Sequence, residues 1–421
     1  MNKVVKIGII GLGARAETLF ATMLELPKGE LEVTALCDFN DAKIQRFKDI
    51  YDKHNLTYPK FYKNYKELIN DNNVDAVLVP TSWNSHFGIA RDAMAAGKYV
   101  GIEVGGASSI DELWQLIHAA ESTGVSCMML ENCCYGRNEL MMLNLAKKGY
   151  FGELIHCACG YEHDLSELAC KLENGIERAW HNLRRNCDLY PTHGLGPIAK
   201  ILNINHGNRF LTISSTASKA RGFARAAKLA EGKGCANFDT FNCGDVITSV
   251  IKCANGETIT MTHSISLPRP YSRDGRVQGT KGIWLEDRKG IWIEGISETK
   301  TEIDVAGNPY TTHIWDNVED YYEEYDHPIW KKHRVNPIGG HGGMDSLTLM
   351  AFADAVRNKV ATPIDVYDCA AWMACSCLSE QSIALGGAPV AFPDFTNGKW
   401  IYPAVERKSH WSLDYIYDDL D

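Results

Sequence analysis

The apolar run VVKIGIIG leads straight into Gly11-Leu12-Gly13-Ala14-Arg15-Ala16, a GxGxx(G/A) turn between a strand and a helix. Gly11 permits the tight turn, Gly13 lets backbone approach a pyrophosphate, and Ala16 lets the helix pack close on the strand, with the anion at the helix N-terminus. Such a turn is common on its own. Here it opens a helix over about Ala14 to Leu26 and is followed by Asp38 at the end of a second strand, LEVTALCD. A carboxylate there hydrogen-bonds a ribose 2′-hydroxyl and repels a 2′-phosphate, so the pattern predicts a dinucleotide site that takes NAD in preference to NADP.

The same rhythm continues. VDAVLVPT, KYVGIEV and VSCMMLEN read as strands, and HFGIARDAMAAG and SIDELWQLIHAAESTG as helices closed by Gly97 and Gly124, the second entered through Ser109. This βαβ alternation predicts a doubly wound parallel sheet, a Rossmann domain over residues 1–135. Beyond it, LIHCACGYEH, RFLTISSTAS, CGDVITSVIKC, ETITMTHSISL and GIWLEDRKGIWIEG alternate between turn signals, as in an open, mostly antiparallel sheet. Helical periodicity returns in GMDSLTLMAFADAVRNK and DVYDCAAWMACSCLSEQSIALGG. Residues 136–421 are therefore expected to form a second α/β domain for substrate binding and oligomerisation, with C-terminal helices free to pack back on the first. A chain of 421 residues exceeds what one core usually organises. The closing stretch KWIYPAVERKSHWSLDYIYDDLD is aromatic and acidic and is expected to pack on the body or on a second subunit.

Charge and cysteine usage narrow the partners. A net charge of -10 with no Lys/Arg-rich run argues against nucleic acid and anionic membranes, which need a basic footprint. No apolar stretch reaches membrane-spanning length. The start leaves no room for a signal peptide, so a cytoplasmic protein is expected as the chain is given, or a periplasmic one if a native leader was removed. Among 14 cysteines, Cys133 and Cys134 adjoin, Cys157/Cys159 and Cys375/Cys377 form CxC pairs, and no CxxC has a second half; reduced, structural thiols are expected. With no HExxH, clustered ligand spacing or GxSxG, neither a metal nor a serine nucleophile is expected.

Ligands of open α/β sheets bind beyond the carboxyl ends of the strands. Two further strand ends thus belong with Gly11 and Asp38: Pro80-Thr81-Ser82-Trp83-Asn84-Ser85-His86 and Glu103-Val104-Gly105-Gly106. Trp83 has the ring to pack on a cofactor, although packing or capping would also account for Trp83 and His86.

GLGAR after the first strand, Asp38, the TSWNSH turn, and the strand ends at Glu103-Val104 and Asn132 together resemble the glucose-fructose oxidoreductase (Gfo/Idh/MocA) superfamily. Most of its dehydrogenases carry Glu-Lys-Pro where this chain has Glu103-Val104-Gly105, so the lysine that supports their acid/base chemistry is missing. In the second domain, Asp188-Leu189-Tyr190-Pro191-Thr192-His193-Gly194-Leu195-Gly196-Pro197 and Gly340-His341-Gly342-Gly343-Met344-Asp345 are similar to the NAD-dependent glycoside hydrolases of family 109, typified by α-N-acetylgalactosaminidases. That resemblance spans nearly the whole chain. It implies cofactor contacts at Ala14, Arg15, Asp38, Trp83, Asn84, Ser85, His86, Glu103, Val104 and Asn132, in addition to Gly11 and Gly13. It implies substrate contacts at Arg178, Tyr190, Pro191, Thr192, His193 and Tyr271, with Tyr161 a further candidate. The chain departs from the family pattern at Gly105, where members have Pro, and between Arg221 and Asp245, which is unusually rich in Cys and Lys.

The resemblance also implies a reaction outside the usual two-carboxylate scheme. NAD takes a hydride from C3 of an N-acetylhexosaminide, the C2 proton is lost, the C1 oxygen is eliminated, water adds, and the hydride returns. His193 would take the 3-hydroxyl proton, Tyr190 or Tyr271 the C2 proton with a lowered phenol pKa, and Arg178 would anchor a hydroxyl or acetamido oxygen. The plain alternative at Tyr190 to His193 is a helix N-terminus with Pro191 early in the helix and Thr192 capping. His341 fits either a site or a glycine-driven bend, and His181, His206, His313, His327 and His333 are expected to be surface or structural. The competing readings are an NAD-dependent sugar or cyclitol dehydrogenase, and a non-catalytic NAD sensor, against which Asp38, Tyr190 and His193 stand. An open sheet face in this superfamily implies a homo-oligomer, a dimer or larger.

Overall fold

The computed structural model describes residues 3–171, 176–230, 240–333, 339–404 and 408–418. Its first sheet contains β1 (Val5–Ile10), β2 (Leu31–Cys37), β3 (Lys60–Tyr62), β4 (Ala76–Val79), β5 (Tyr99–Ile102) and β6 (Cys127–Met129). Their order is β3-β2-β1-β4-β5-β6, with every neighbouring pair parallel. Ile7, Ile9, Val77, Leu78, Val79, Val100 and Ile102 are fully buried, as expected when helices cover both faces of a parallel sheet. The expected helix punctuation is present: Ser109 and Glu112 form a capping box, and Gly124 ends that helix at φ +67. The chain reverses direction across the sheet between β1 and β4, and the crevice described below lies beyond that switch point.

The second sheet is built from β7 (Leu154–Glu162), β8 (Phe210–Ala217), β9 (Ile247–Cys253), β10 (Thr258–Ser264), β11 (Arg276–Gly279), β12 (Gly282–Leu285) and β13 (Gly290–Ile293). After a separate, exposed hairpin, β14 (Thr299–Ile303) with β15 (Pro309–His313), the edge strands β16 (Asp316–Asn317) and β17 (Val390–Ala391) complete it. The order is β16-β13-β12-β11-β7-β10-β9-β8-β17; all pairs are antiparallel except β7 with β10. Along β9, Ile247, Ser249, Ile251 and Cys253 point inward while Thr248, Val250 and Lys252 are exposed, so one face is covered and one is open.

The helix Val366–Ala384 covers that sheet at β8 and also packs on β6 and on the helix Ile110–Thr123 of the first domain. The helix Met344–Asn358 packs on the helix Ala14–Glu25 and on β1. A single hydrophobic cluster therefore runs from Ile7 and Leu113 through Leu195 to Trp372. The proposed domain boundary at 135/136 falls between the 3₁₀ turn Asn132–Tyr135 and the helix Arg137–Lys147. Part of the closing segment packs on the body: Leu413 is fully buried, and Asp414 pairs with buried Lys200 at 3.0 Å. Every cysteine among the described residues is a free thiol, and all but Cys170 and Cys377 are buried. Within the Cys- and Lys-rich stretch, Gly222–Leu229 is helical and Cys235 lies outside the described residues. Among the described residues, no helix is long and apolar enough to cross a membrane.

Candidate active site

A crevice of about 960 Å³ runs beyond the carboxyl ends of β1, β2, β4 and β5. Gly11, at φ +94, turns the chain so tightly that a side chain there would strike Thr81. In front of Gly13 there is open space, and the helix that begins at Ala14 has no side-chain cap, which leaves first-turn N–H groups for an anion. Asp38 is 5% exposed; its Oδ2 accepts the Leu12 N–H at 2.9 Å and its Oδ1 accepts the Asn40 N–H at 2.9 Å. Turn, helix end and carboxylate thus fit an NAD pyrophosphate and ribose.

Arg15 joins this loop to the second domain. It donates from Nε to Glu103 at 2.7 Å and from both terminal nitrogens to Asp345 at 2.9 Å. Asp345 also accepts from Asn132 Nδ2 at 2.8 Å and faces His341 Nδ1 at 2.9 Å. Burial opposes the charge on Asp345, but the bonds from His341 and Arg15 hold its carboxyl well below the usual range. Burial raises Glu103 despite Arg15.

The TSWNSH turn divides its residues. Trp83 and Ser85 line the crevice. The Trp83 ring lies 5.2 Å from His181 and 6.0 Å from Tyr190, and a Cβ on Gly105 would sit 2.5 Å from the indole. The Asn84 N–H donates to Glu177 at 3.0 Å, and the Asn84 side chain accepts from Ser108 at 3.2 Å. His86 is buried, with Nε2 2.9 Å from the Thr81 carbonyl, and burial lowers it to about 4. It braces the turn from within, because the helix that starts at Trp83 points this residue into the core.

The crevice is also lined by Val104, Asn132, Arg178, Tyr190, His193 and His341. The Tyr190 ring is 4.6 Å from Tyr161 and 4.9 Å from His193. The Arg178 guanidinium lies over Tyr190 at 4.3 Å and Tyr161 at 5.2 Å, and its Nε and Nη2 are buried without a hydrogen-bond partner. Buried donors of this kind call for an acceptor from a ligand. The expected lowering of the tyrosine pKa is not found: burial pushes Tyr190 up to about 12, although His193 and Arg178 both pull it down. Tyr271 is likewise raised by burial and stands 47% exposed beside His163, with ring centroids 5.2 Å apart. Pro191 and Thr192 are buried in the chain turn. Thr192 is the first helical residue and forms no cap, contrary to the capping expectation, because Pro191 already has helical backbone angles.

Three residues here were not singled out from sequence. Glu131, fully buried at the end of β6, places Oε1 2.7 Å from His193 Nδ1; its position beside Asn132 at a strand end was the available signal. Burial alone would lower His193, but Cys133 and Glu131 hold it well above its ordinary value. Asp188 accepts the Tyr190 N–H at 3.0 Å and is raised by burial to about 7. Asp345 stands inside GHGGMD, where only the motif was read. The donor atoms of Glu131, Cys133 and His193 lie within 4.8 Å of one another. A separation of 2.7 Å between Glu131 and His193 is a hydrogen-bond length, shorter than the ~3.3 Å between two ligands of one tetrahedral ion.

Residues 5–131 match the oxidoreductase family with an NAD-binding Rossmann fold, GFO_IDH_MocA, and residues 135–402 match the C-terminal domain of glycosyl hydrolase 109. The chain is 39% identical over 428 residues to an α-N-acetylgalactosaminidase of Tannerella forsythia, covering 94% of this chain and 87% of that protein. It is 38% identical over 412 residues to an α-N-acetylgalactosaminidase of Shewanella oneidensis, covering 94% and 86%. Among solved structures, levoglucosan dehydrogenase in complex with NADH and levoglucosan superposes with a TM-score of 0.65 at 16% identity, over 93% of this chain and all of that one (100%). Myo-inositol 2-dehydrogenase from Lactobacillus plantarum gives 0.64 at 15%, over 93% and 100%. At those identities the likeness is one of fold. With a dinucleotide crevice in the first domain and both halves matched, the chain belongs to glycoside hydrolase family 109 of the Gfo/Idh/MocA superfamily and has NAD as its cofactor.

Proposed function

We propose that the protein is an NAD-dependent glycosidase acting on N-acetylhexosaminides, with α-N-acetylgalactosaminides the first substrates to test. The observation that carries this reading is the group formed by Arg178, Tyr190 and His193 in the same crevice that holds Asp38. Identity to two α-N-acetylgalactosaminidases over most of the chain supports the substrate class.

When bound, NAD supplies the acceptor for the C3 hydride and gives it back, so no net oxidation results. Asp38 would take the ribose, and the Gly11 to Arg15 loop the pyrophosphate. Arg178, with two buried N–H groups free, would bind an acetamido or hydroxyl oxygen of the sugar. His193 would accept the 3-hydroxyl proton and later return it. Tyr190 is neutral at rest because of its burial, yet both Arg178 and a charged His193 favour its phenolate. Proton uptake by His193 would therefore make Tyr190 a better base at the moment C2 must be deprotonated. Tyr271, half exposed with its ring 6.2 Å from that of Tyr161, is the second candidate for that step. The open sheet face around Thr248 and Val250 is the surface through which we expect copies of the chain to pair.

The test is a panel of p-nitrophenyl glycosides, α and β, acetamido and plain, run with and without added NAD. Nitrophenol release without net NADH is the expected result. NADH accumulating from free sugars or cyclitols, with no glycoside cleaved, would replace this function with that of a dehydrogenase.

A further inference from the structure

Glu131 stands two residues beyond the last strand of the first sheet, at the start of the turn Asn132–Tyr135, and His193 on a helix of the second domain, so their contact crosses the junction between the two. Glu131 is fully buried. Its Oε1 accepts the Cys133 N–H at 3.1 Å and lies 2.7 Å from His193 Nδ1. The carboxylate stays charged in this setting: burial opposes it, but His193 and the hydrogen bonds it accepts hold its pKa below the ordinary value. An ionised carboxylate only accepts, so Nδ1 must carry the hydrogen. In the neutral ring the lone pair then belongs to Nε2, the nitrogen left for the crevice that His193 lines.

We propose that Glu131 is a positioning residue that fixes the His193 tautomer and raises its basicity, forming a buried acid-histidine pair assembled across the domain junction. This rests on reading His193 as the acceptor of the substrate's hydroxyl proton. The charge of Glu131 stabilises the imidazolium that such a transfer creates, as an orienting carboxylate does for the histidine of a catalytic triad. The other groups around the ring do not cancel it. The Tyr190 and Tyr161 rings face it at 4.9 and 5.5 Å, the Tyr190 phenol kept neutral by burial, Tyr271 stands 6.2 Å beyond Tyr161, and Cys133 lies on the Glu131 side. Two cations stand beyond these groups: Arg178 lies over the Tyr190 and Tyr161 rings, and Arg273 touches Cys133 at 3.3 Å but is itself paired with buried Glu139.

A purely structural role is the rival, since Glu131 also holds the turn Asn132–Tyr135 through Cys133. Glu131→Gln separates the two, because the amide oxygen keeps both acceptor positions and loses only the charge. Titration of ¹⁵N-histidine-labelled holoenzyme by NMR, with His193→Asn to assign the signal, should show the His193 pKa falling by about one unit or more in Glu131→Gln. The acid limb of kcat/KM should move to lower pH by a similar amount, kcat should fall at least ~10-fold, and Glu131→Asp should recover part of it. An unmoved His193 titration overturns the pairing. If His193 titrates as expected but His193→Asn still turns over normally, the pairing stands and the proton role of His193 is what fails.

Discussion

Arg15 and Asp345, 330 positions apart, meet through two parallel hydrogen bonds of 2.9 Å, one from each terminal nitrogen of the guanidinium to each carboxylate oxygen. Arg15 belongs to the dinucleotide loop and Asp345 to the first turn of the helix Met344–Asn358, so this pair clamps the loop to the second domain. Asp345→Ala removes the clamp and also frees Asn132 and His341. The expected outcome is a loss of about 2–4 kcal/mol in urea unfolding, together with a several-fold drop in the NAD that survives purification, read by acid extraction and absorbance. Retention of NAD at the wild-type level would show that the clamp does not serve the cofactor.

His193→Asn and Tyr190→Phe should each lower glycoside turnover by on the order of 10² while leaving bound NAD in place. Rates near wild type in both would remove the pair from the proposed chemistry.

Asp38 supports its own loop through Leu12 as well as presenting a carboxylate to the crevice. Asp38→Ala should weaken NAD at least ~10-fold, the size expected for losing charged hydrogen bonds of about 1.5–3 kcal/mol, and should narrow the preference over NADP. Isothermal titration of the cofactor-stripped protein with both nucleotides measures this, and an unchanged ratio of affinities would contradict the assigned role.

Asp188 gives a pH dependence with a definite sign. Burial raises its folded pKa to about 7, so between the unfolded carboxylate value of about 3.9 and 7 the folded chain binds more protons than the unfolded one. Its contribution to stability is present at low pH and lost as pH rises through that window. Asp188→Asn has no such loss, and its amide can donate to the His263 ring, whose Nδ1 lies 3.4 Å from Asp188 and has no hydrogen-bond partner. The unfolding free energy of the variant should therefore gain on that of the wild type by on the order of a few kcal/mol from pH 4 to pH 8. A difference that stays flat with pH would mean that Asp188 is not held neutral.

Lys200 is 2% exposed and pairs with Asp368 at 2.6 Å and Asp414 at 3.0 Å. It lies on the helix that carries His193, so the triad ties that helix to the helix Val366–Ala384 and to the closing segment. Lys200→Met would leave two buried carboxylates facing each other and should cost about 3–5 kcal/mol by chemical denaturation. A smaller cost than ~1 kcal/mol would mean that the carboxylates take up protons or water freely.

Much of this was legible locally. Gly11, Asp38, Ser109 and Gly124 announce themselves because turn, strand end and helix cap are each set by neighbours a few residues away. The crevice also gathers Trp83, Glu103, Asn132, Arg178, Tyr190 and His193, whose motifs stand at strand ends or next to a helix start. What escaped depends on distance or on burial. Glu131 acquires its meaning from a residue 62 positions on, and Asp345 from one 330 positions back. The parallel pairing of β7 with β10 and the separate β14–β15 hairpin leave no periodic trace. The direction of the tyrosine shifts also escaped, because spacing shows which cations lie near a phenol but not how little water reaches it.

Gly105 and Trp83 have a joint consequence. The indole fills the volume that any side chain at 105 would need, with 2.5 Å between the would-be Cβ and the ring. Placing the proline of a dehydrogenase-type Glu-Lys-Pro at 105 would thus demand a concerted change at 83. The residues at 83 and 105 share one volume, and enlarging the second is a correlated move with the first rather than a point change.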